Sequence, residues 1–412
     1  MRRIGVLFLF LPLLAHAQVS MDDFLLAAWN EPALQSFSNQ DDYLNTNPYR
    51  LAPIRRLEFR TESNQLDRTR QDYALRLNPA SPWEMKRNNQ YFRTYQELLQ
   101  LDRDRVLKES LQTRYRTIVD WVYYEELKTL KEEESQTTDK LIQILEGQRY
   151  SAFFDAKAYV ELKLDHVEKL IELEETRFEM DNQRRKVEGL YEKARLKNIS
   201  WSPTDLLSME KIEQVVDSVN QLMANSGEVA YREKKIELAN SEWQLEKSNI
   251  NVGYLQTKYE NYRIEQNRRP WSVSLGVTIP VFNPNKGNMT KRKLEVLEAE
   301  GDLEQARNEQ HVGRDLMQAK IKNLIKRYRD VSTMVEKLKL NELGATLQQI
   351  KDSNPMATVR LQNNLIRSRE ISAKLKHEIN ISYIEFLSYA EALQQRPLTN
   401  FLSPHLTTLL SR

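Results

Sequence analysis

The segment Trp271 to Phe282, WSVSLGVTIPVF, decides the fold of this chain. Every second residue in it is apolar, and the residues between them are small or polar as far as Thr278. Successive side chains of a β-strand point to opposite faces, so this pattern predicts a strand with one apolar and one polar face, as in a transmembrane barrel. The face that we expect to contact lipid consists of Trp271, Val273, Leu275, Val277, Ile279 and Val281.

Two landmarks outside this segment indicate an internal duplication. The strand ends at Asn283, and a strand-like segment ends 205 residues earlier at Asn78; each is followed by Pro and then by a long stretch with helical periodicity. The expected tips of the two helical hairpins, near Ser151 and Asn354, lie 203 residues apart. The two spacings are nearly equal, so the chain contains two copies of a unit in which a strand precedes a long helix.

The long helices have the spacing of coiled coils. No Pro or Gly occurs between Trp83 and Glu146, and apolar residues there recur at steps of four and three, which predicts a packed seam. Gly147 ends this helix, and a returning helix is expected from Ser151. The seam residues are Leu107, Leu111, Tyr115, Ile118 and Val122 in the first copy, and Leu324, Tyr328, Val331, Val335 and Leu338 in the second.

Three further segments are predicted to be strands. Arg56 to Glu62 alternates strictly, Gln71 to Leu77 follows it after a polar turn, and Asn251 to Ile264 precedes the opening segment. The fold class is therefore mainly α with a small β part: long antiparallel coiled-coil hairpins plus four strands. Their charged faces are expected to line water, with Arg56, Glu58, Arg60, Glu62, Arg76, Lys258 and Glu260 on them.

Composition narrows the class of protein. Residues 1–17 have two Arg, an apolar stretch and an Ala-x-Ala site, which predicts a secretory signal peptide, and no later segment is apolar enough for a transmembrane helix. The 61 basic and 59 acidic residues are interleaved, so nucleic acid is not the expected partner. The chain has no Cys, its His residues are scattered, and it has no recognised enzyme motif; we therefore expect no catalytic residue, cofactor or metal.

Four strands cannot close a barrel, and open sheet edges in hydrocarbon leave backbone groups unpaired. The chain must therefore associate. Barrels of about 8 strands are filled by side chains and those of about 16 hold water, so three protomers with twelve strands form the smallest symmetric barrel with a plausible channel.

The sequence resembles the TolC-like outer membrane factor family. FLLAAWNEPAL (24–34) is similar to the opening helix of that family, VTIPVFNPNKGN (277–288) to its strand-to-helix junction, and LEGQRYSAFFDAK (145–157) to its hairpin tip. The resemblance implies a homotrimeric barrel of twelve strands in the outer membrane of a Gram-negative bacterium, continued by a periplasmic helical tunnel with an equatorial belt.

The resemblance also implies partners and a function. The tips would bind a periplasmic adaptor, which connects an exit duct for efflux or type I secretion to an inner-membrane transporter. The Gly-Leu element common in family tips is absent, and where some members narrow the tunnel with carboxylates this chain has Arg360 and Asn363, so an acidic ring is not expected. The expected adaptor-docking residues are Gln148, Arg149, Ser151, Asp155, Ser353, Asn354 and Pro355.

These predictions divide the chain into nine segments. They are a signal peptide (1–17), an N-terminal helix and linker (18–52), a β-hairpin (53–80), a helical hairpin (81–198, tip 147–155), an equatorial region (199–226), a connecting helix (227–250), a second β-hairpin (251–283), a second helical hairpin (284–393, tip 351–355) and a C-terminal tail (394–412).

One alternative remains open from the sequence. The outward face of the first strand contains only Leu57, Phe59 and Thr61, so the strands are also compatible with water-exposed hairpins. In that case the protein would be a soluble periplasmic coiled-coil scaffold that does not enter the membrane.

Overall fold

A computed structural model describes residues 18–47, 49–63, 71–147, 149–150, 154–222, 227–248, 252–261, 269–278, 285–337 and 355–409. The chain forms two compact units. The first unit comprises Met1–Glu31, Leu107–Met223 and Val312–Arg412, and the second comprises Pro32–Val106 and Ala224–His311. The described elements are α1 (Met21–Leu26), α2 (Pro32–Thr46), β1 (Ile54–Ser63), β2 (Gln71–Pro79), α3 (Pro82–Gly147), α4 (Ala156–Leu190), α5 (Met209–Leu222), α6 (Gly227–Ser248), β3 (Gly253–Glu260), β4 (Trp271–Val277), α7 (Lys286–Lys337) and α8 (Pro355–Tyr389).

The second unit contains one antiparallel sheet in the order β1-β2-β3-β4. The two predicted hairpins are therefore neighbours, joined through β2 and β3. The register places Phe59 opposite Leu75, Leu75 opposite Thr257, and Thr257 opposite Val273. Apolar positions of all four strands thus share one face of the sheet.

Ion pairs connect the helices of the second unit. Lys234 on α6 contacts Glu97 on α3 at 2.9 Å, and Arg292 on α7 contacts Glu242 on α6 at 2.8 Å. The phenol of Tyr91 is half-buried near Glu242; burial, followed by the carboxylate, raises its pKa to about 12. Charged side chains therefore join helices whose apolar stripes are narrow.

The first unit is packed along the predicted coiled-coil seam of α3. Leu107, Leu111, Tyr115, Ile118 and Val122 are all buried. The mainly α fold with long helical hairpins and four strands is therefore confirmed. Of the second seam, Tyr328 and Val331 are half-buried on α7, whereas Leu338 lies outside the described residues.

A buried arginine anchors the N-terminal region to the first unit. The Arg114 guanidinium is 1% exposed and donates to the carbonyl oxygens of Phe24 (3.1 Å) and Leu190 (3.0 Å) and to the hydroxyl of Ser110 (3.0 Å). It also forms an ion pair with Glu31. One cation thus satisfies acceptors from α1, α3 and α4, which balances the cost of removing it from water.

The N-terminal helix differs from the prediction. The stretch 24–34, which resembles an opening helix, is not a single helix: α1 ends at Leu26, a 3₁₀ turn follows over Ala27–Asn30, and α2 begins at Pro32. Proline has no N–H to donate and disfavours the helical conformation in the residue before it, so Glu31 is extended. α2 has 15 residues and extends beyond Leu34 into the segment predicted as a linker.

Other boundaries shift by a few residues. The returning helix α4 begins at Ala156 rather than Ser151, because Asp155 provides the N-cap: its carboxylate accepts from the backbone N–H of Ala158 at 3.0 Å. β3 is shorter than the predicted Asn251 to Ile264. None of the helices in the described part of the chain is both long enough and apolar enough to span a membrane.

Candidate functional site

One face of the sheet exposes apolar side chains to solvent, and the other face contains charged side chains, of which Asp72 and Glu260 are buried. Leu275 is 75% exposed, whereas Asp72 on the other face is 6% exposed. In a sheet that packs against a water-soluble core the apolar face is the covered one. The exposed apolar face comprises Leu57, Phe59, Tyr73, Leu75, Leu255, Trp271, Val273, Leu275 and Val277.

An aromatic row crosses this face near the ends where the hairpins turn. Tyr73 is opposite Tyr259, and Tyr259 is opposite Trp271, with their ring centroids 4.9 Å apart. The two rows below it contain Leu, Val, Phe and one Thr. Rings with a polar atom at one edge favour the boundary between an apolar and an aqueous phase, so this row marks one limit of the apolar face.

The opposite face of the sheet contains linked charges. Lys258 Nζ lies 2.6 Å from the Asp72 carboxylate on the neighbouring strand β2 and 3.1 Å from the Glu260 carboxylate on its own strand β3. The Arg76 guanidinium lies 3.6 Å from the centre of the Tyr254 ring. Lys258 therefore has two partners of opposite sign, and Arg76 has an aromatic ring.

Both edges of the sheet are open within the described residues. β1 is paired only with β2, and β4 only with β3. Strand direction alternates across the sheet, so β1 and β4 run antiparallel to each other. A β4 edge can therefore accept the β1 edge of another copy in the same antiparallel pattern.

The tip of the first helical hairpin is packed as well as charged. Leu141, Ile142, Leu145 and Leu162 form a small buried core. The Tyr159 hydroxyl donates to Glu146 at 2.7 Å, and Lys163 contacts the same carboxylate at 2.8 Å. The hydrogen bond from Lys163, followed by that from Tyr159, holds the pKa of Glu146 below its usual range.

The structure describes two of the docking residues predicted at this first tip. Arg149 is exposed in the turn, and its backbone N–H donates to the carbonyl of Glu146 at 3.2 Å. Asp155 is exposed and caps α4, so its carboxylate has a structural role. Gln148 and Ser151 lie outside the described residues.

Most of the second predicted tip is outside the described residues, including Ser353 and Asn354. Pro355 begins α8, which is a usual place for proline. Five and eight residues later on the same helix, Arg360 is exposed and Asn363 is half-buried. Ile279 and Val281, which the sequence predicts to contact lipid, are also outside the described residues.

Sequence reasoning missed two groups of side chains. The Glu146–Tyr159–Lys163 cluster lies across the hairpin turn, and its only sequence signal is charge of opposite sign on either side of Gly147. The buried Arg114 lies among other charged residues of α3, and nothing in its local sequence separates it from exposed ones. Within the described ranges, no group of three or more His, Asp or Glu side chains is arranged to hold a metal ion.

Comparison with known proteins identifies the fold of this chain. No protein-family model matches the sequence, and no curated protein matches it significantly. Solved structures do match: the CmeC outer membrane channel of Campylobacter jejuni has 10% identity and a TM-score of 0.68, covering 94% of this chain and 87% of that one. The outer-membrane channel OprN has 9% identity and a TM-score of 0.67, covering 90% of each chain.

A third solved structure agrees with these two. The open state of the MtrE outer membrane channel of Neisseria gonorrhoeae has 12% identity and a TM-score of 0.62, covering 91% of this chain and 90% of that one. Each of the three likenesses covers at least 90% of this chain. The chain therefore has the fold of the outer membrane channels, as its resemblance to the TolC-like outer membrane factors predicted.

Proposed function

We propose that three copies of this chain form a passive channel through the outer membrane of a Gram-negative bacterium. The observation that carries the proposal is the inverted sheet: a continuous apolar face is exposed on all four strands, and the linked charges are on the other face. In the bilayer that apolar face contacts lipid, and the charged face contacts water inside the barrel. The fold that the chain shares with outer membrane channels supports the same function.

Trimer formation closes the sheet. Every unpaired backbone group in hydrocarbon costs several kcal/mol, so the edges of β1 and β4 have to be paired in the membrane. Pairing β4 of one copy with β1 of the next produces a barrel of twelve strands. The water-filled interior is then lined by the face that contains Arg76, Lys258 and Glu260.

The channel is the exit duct of a tripartite efflux pump or of a type I secretion system. Its helical tips bind a periplasmic adaptor, which connects it to an inner-membrane transporter, and the channel carries out no chemistry itself. Arg149 is exposed for this contact, next to the packed Glu146 cluster. The full set of tip residues in the proposal is Gln148, Arg149, Ser151, Asp155, Ser353, Asn354 and Pro355.

Membrane fractionation followed by conductance tests the channel. We expect the protein in the outer membrane fraction, a trimer in mild detergent, and stepwise conductance in planar bilayers. Recovery in the soluble periplasm, or a monomer in detergent, would instead support a soluble coiled-coil scaffold.

A substitution at Lys258 tests whether the charged face of the sheet lines the pore. Reversing its charge with Lys258→Glu leaves Asp72 and Glu260 without their cation, so the pore should become more selective for cations. Lys157→Glu, an exposed position near the first tip, is the matched charge control. Equal reversal potentials for the two variants in a salt gradient would exclude a lining role for Lys258.

Arg360 and Asn363 are proposed to narrow the duct just beyond the second tip. Replacing Arg360 by Ala should raise the single-channel conductance because it removes a long cation from the narrowest section. Arg177→Ala on α4 is the control. A conductance unchanged by Arg360→Ala would show that Arg360 does not narrow the duct. The proposal that the protein is a channel would still stand.

A further inference from the structure

A cavity of about 270 Å³ lies within the first unit, where α3, α7 and α8 meet residues 203–210. Its wall consists of described residues from a single copy of the chain. Pockets for drug-sized molecules hold about 300–1,000 Å³, so this cavity suits a smaller ligand. Pro203 and Glu210 on the wall are exposed, so such a ligand can enter from solvent.

Part of this wall is aliphatic. Val119 and Val122 on α3 are 1% and 3% exposed, and Leu207, just before α5, is 1% exposed. These side chains offer no hydrogen bonds, whereas a water molecule held in a cavity needs several polar partners. A ligand that fills the whole cavity therefore has an apolar part.

One buried polar group on the wall has an unused acceptor. Asn380 on α8 is 2% exposed, and its side-chain amide donates to the carbonyl oxygen of Lys376 at 2.8 Å. A carbonyl oxygen only accepts, so the amide nitrogen faces Lys376 and Oδ1 is the other end. Asn380 Oδ1 has no hydrogen-bond partner among the described residues. Because buried amide oxygens are nearly always paired, a ligand with a hydrogen-bond donor is expected here.

The charges on the wall favour a cation over an anion. Two carboxylates, Glu126 on α3 and Glu210 on α5, line the cavity together with one ammonium group, that of Lys376. Neither carboxylate forms an ion pair with a described residue. The imidazole of His377 is held by Asp120, with Nε2 2.8 Å from the carboxylate, so a proton on this ring is balanced by its own partner. Acidic groups therefore outnumber basic groups around the cavity.

Two tyrosine rings on the wall suit a cation as well. Tyr123 on α3 and Tyr328 on α7 are both half-buried. The face of an aromatic ring attracts an ammonium group, and the attraction grows when that group leaves water. Tyr123 also packs against His377, with ring centroids 4.4 Å apart, so a neighbour on α8 supports its position. The rings, the carboxylates and the unpaired amide oxygen thus favour the same kind of ligand.

We propose that this cavity binds a small organic amine in its ammonium form. The ammonium group donates to Asn380 Oδ1 and is attracted by Glu126 and Glu210, and the apolar part of the ligand contacts the aliphatic wall. An anion of the same size would face two carboxylates, and a wholly apolar molecule would leave Asn380 unpaired. The cavity is formed within one copy, so the inference does not depend on the proposed channel.

Binding of two amines to the full-length protein tests the site. Phenethylamine and hexylamine each carry an ammonium group at neutral pH and have an apolar part. Isothermal titration calorimetry of the purified protein, with empty detergent micelles as the blank, should show saturable binding of one amine per chain. The melting temperature should rise with amine concentration, since a ligand that binds only the folded state stabilises it. No saturable binding of either amine would overturn the proposed site.

An anion of matched shape tests the class of ligand. Phenylpropionate has the same ring as phenethylamine on a chain of similar length, but it ends in a carboxylate. Repulsion by Glu126 and Glu210 should make its binding at least about tenfold weaker than that of the amine. Binding as tight as that of phenethylamine would contradict the assignment of an ammonium ion.

A substitution on α3 tests whether the amine occupies this cavity. Glu126→Gln should weaken the binding of phenethylamine roughly tenfold, because it removes a charged acceptor. Glu125 is the next residue but is not on the wall, so Glu125→Gln is the matched control and should leave the affinity unchanged. Equal affinities for the two variants would show that the amine binds elsewhere.

A second variant tests the buried acceptor itself. Asn380→Leu removes the unpaired oxygen and keeps a side chain of similar size, so amine binding should be lost while circular dichroism still shows a folded helical protein. Unchanged affinity in the folded variant would overturn the role of Asn380. If Asn380→Leu does not fold, the comparison of Glu126→Gln with Glu125→Gln still decides whether the cavity is the binding site.

Discussion

The ring of Tyr254 lies directly over Gly276 on the neighbouring strand. A Cβ atom at position 276 would be 2.3 Å from the nearest ring carbon, closer than real side chains approach. The guanidinium of Arg76 on β2 lies 3.6 Å from the centre of this same ring, which belongs to β3. The glycine on β4 therefore leaves space for the ring to stack on the guanidinium. Pairing an aromatic ring with a cross-strand glycine covers backbone that would otherwise be exposed.

Replacing Gly276 by Ala should therefore destabilise the sheet. Overpacking costs about 1–3 kcal/mol, because the Tyr254 ring has to leave its place over Arg76. Urea unfolding of the protein in lipid vesicles measures the loss. In the background of Tyr254→Ala the same change should cost much less, and an equal cost in both backgrounds would show that the ring is not the cause.

The apolar face of β4 should not tolerate a charge. Leu275→Arg should lower the stability of the inserted protein by about 2–4 kcal/mol, because the guanidinium would face hydrocarbon. Ser274→Arg, one residue away on the opposite face, is the control and should insert normally. The fraction recovered in outer membranes reports both variants; equal recovery would mean that the two faces meet the same environment.

Loss of Arg114 should have a large effect on the first unit. Arg114→Met leaves Glu31 without its cation and the carbonyls of Phe24 and Leu190 without the guanidinium donor, so we expect about 3–5 kcal/mol of destabilisation. Trp201, tilted against Phe24 with ring centroids 5.2 Å apart, reports the change by fluorescence during denaturation. Arg177→Met is the control, since Arg177 is in exposed ion pairs and its replacement should change the stability little.

The first tip should loosen in acid. The folded-state pKa of Glu146 is lowered by Lys163, so its stabilising contribution is present above the ordinary carboxyl pKa and is lost as pH falls through the folded value. Amide exchange across α3 and α4 at the tip, corrected for the intrinsic rate, should show less protection at about pH 3 than at neutral pH. Glu146→Gln should remove most of this pH dependence.

The parts of the fold that could be predicted from sequence are those that repeat. The seam Leu107 to Val122 and the alternation of β4 repeat over several turns or residues, so a single exception does not hide them. The order of the four strands was not evident, because the pairing of β2 with β3 joins residues far apart in sequence. The helix α2 was missed because its polar sequence has no strong apolar stripe.

The candidate site likewise has parts that could be predicted from the sequence and parts that could not. The apolar sheet face is a strand pattern and was predictable as far as Val277. The Arg114 anchor was not, since its acceptors come from Phe24 and Leu190, which are 90 and 76 residues away.

The two open edges of the sheet also affect how the protein is made. If the chain forms the proposed channel, a newly exported copy presents unpaired strands and an uncovered apolar face to the aqueous periplasm, the combination that favours aggregation. Single copies must therefore be short-lived or shielded until they meet others, and the concentration of unassembled chains limits the yield. Overproduction should cause aggregates to accumulate faster than channels.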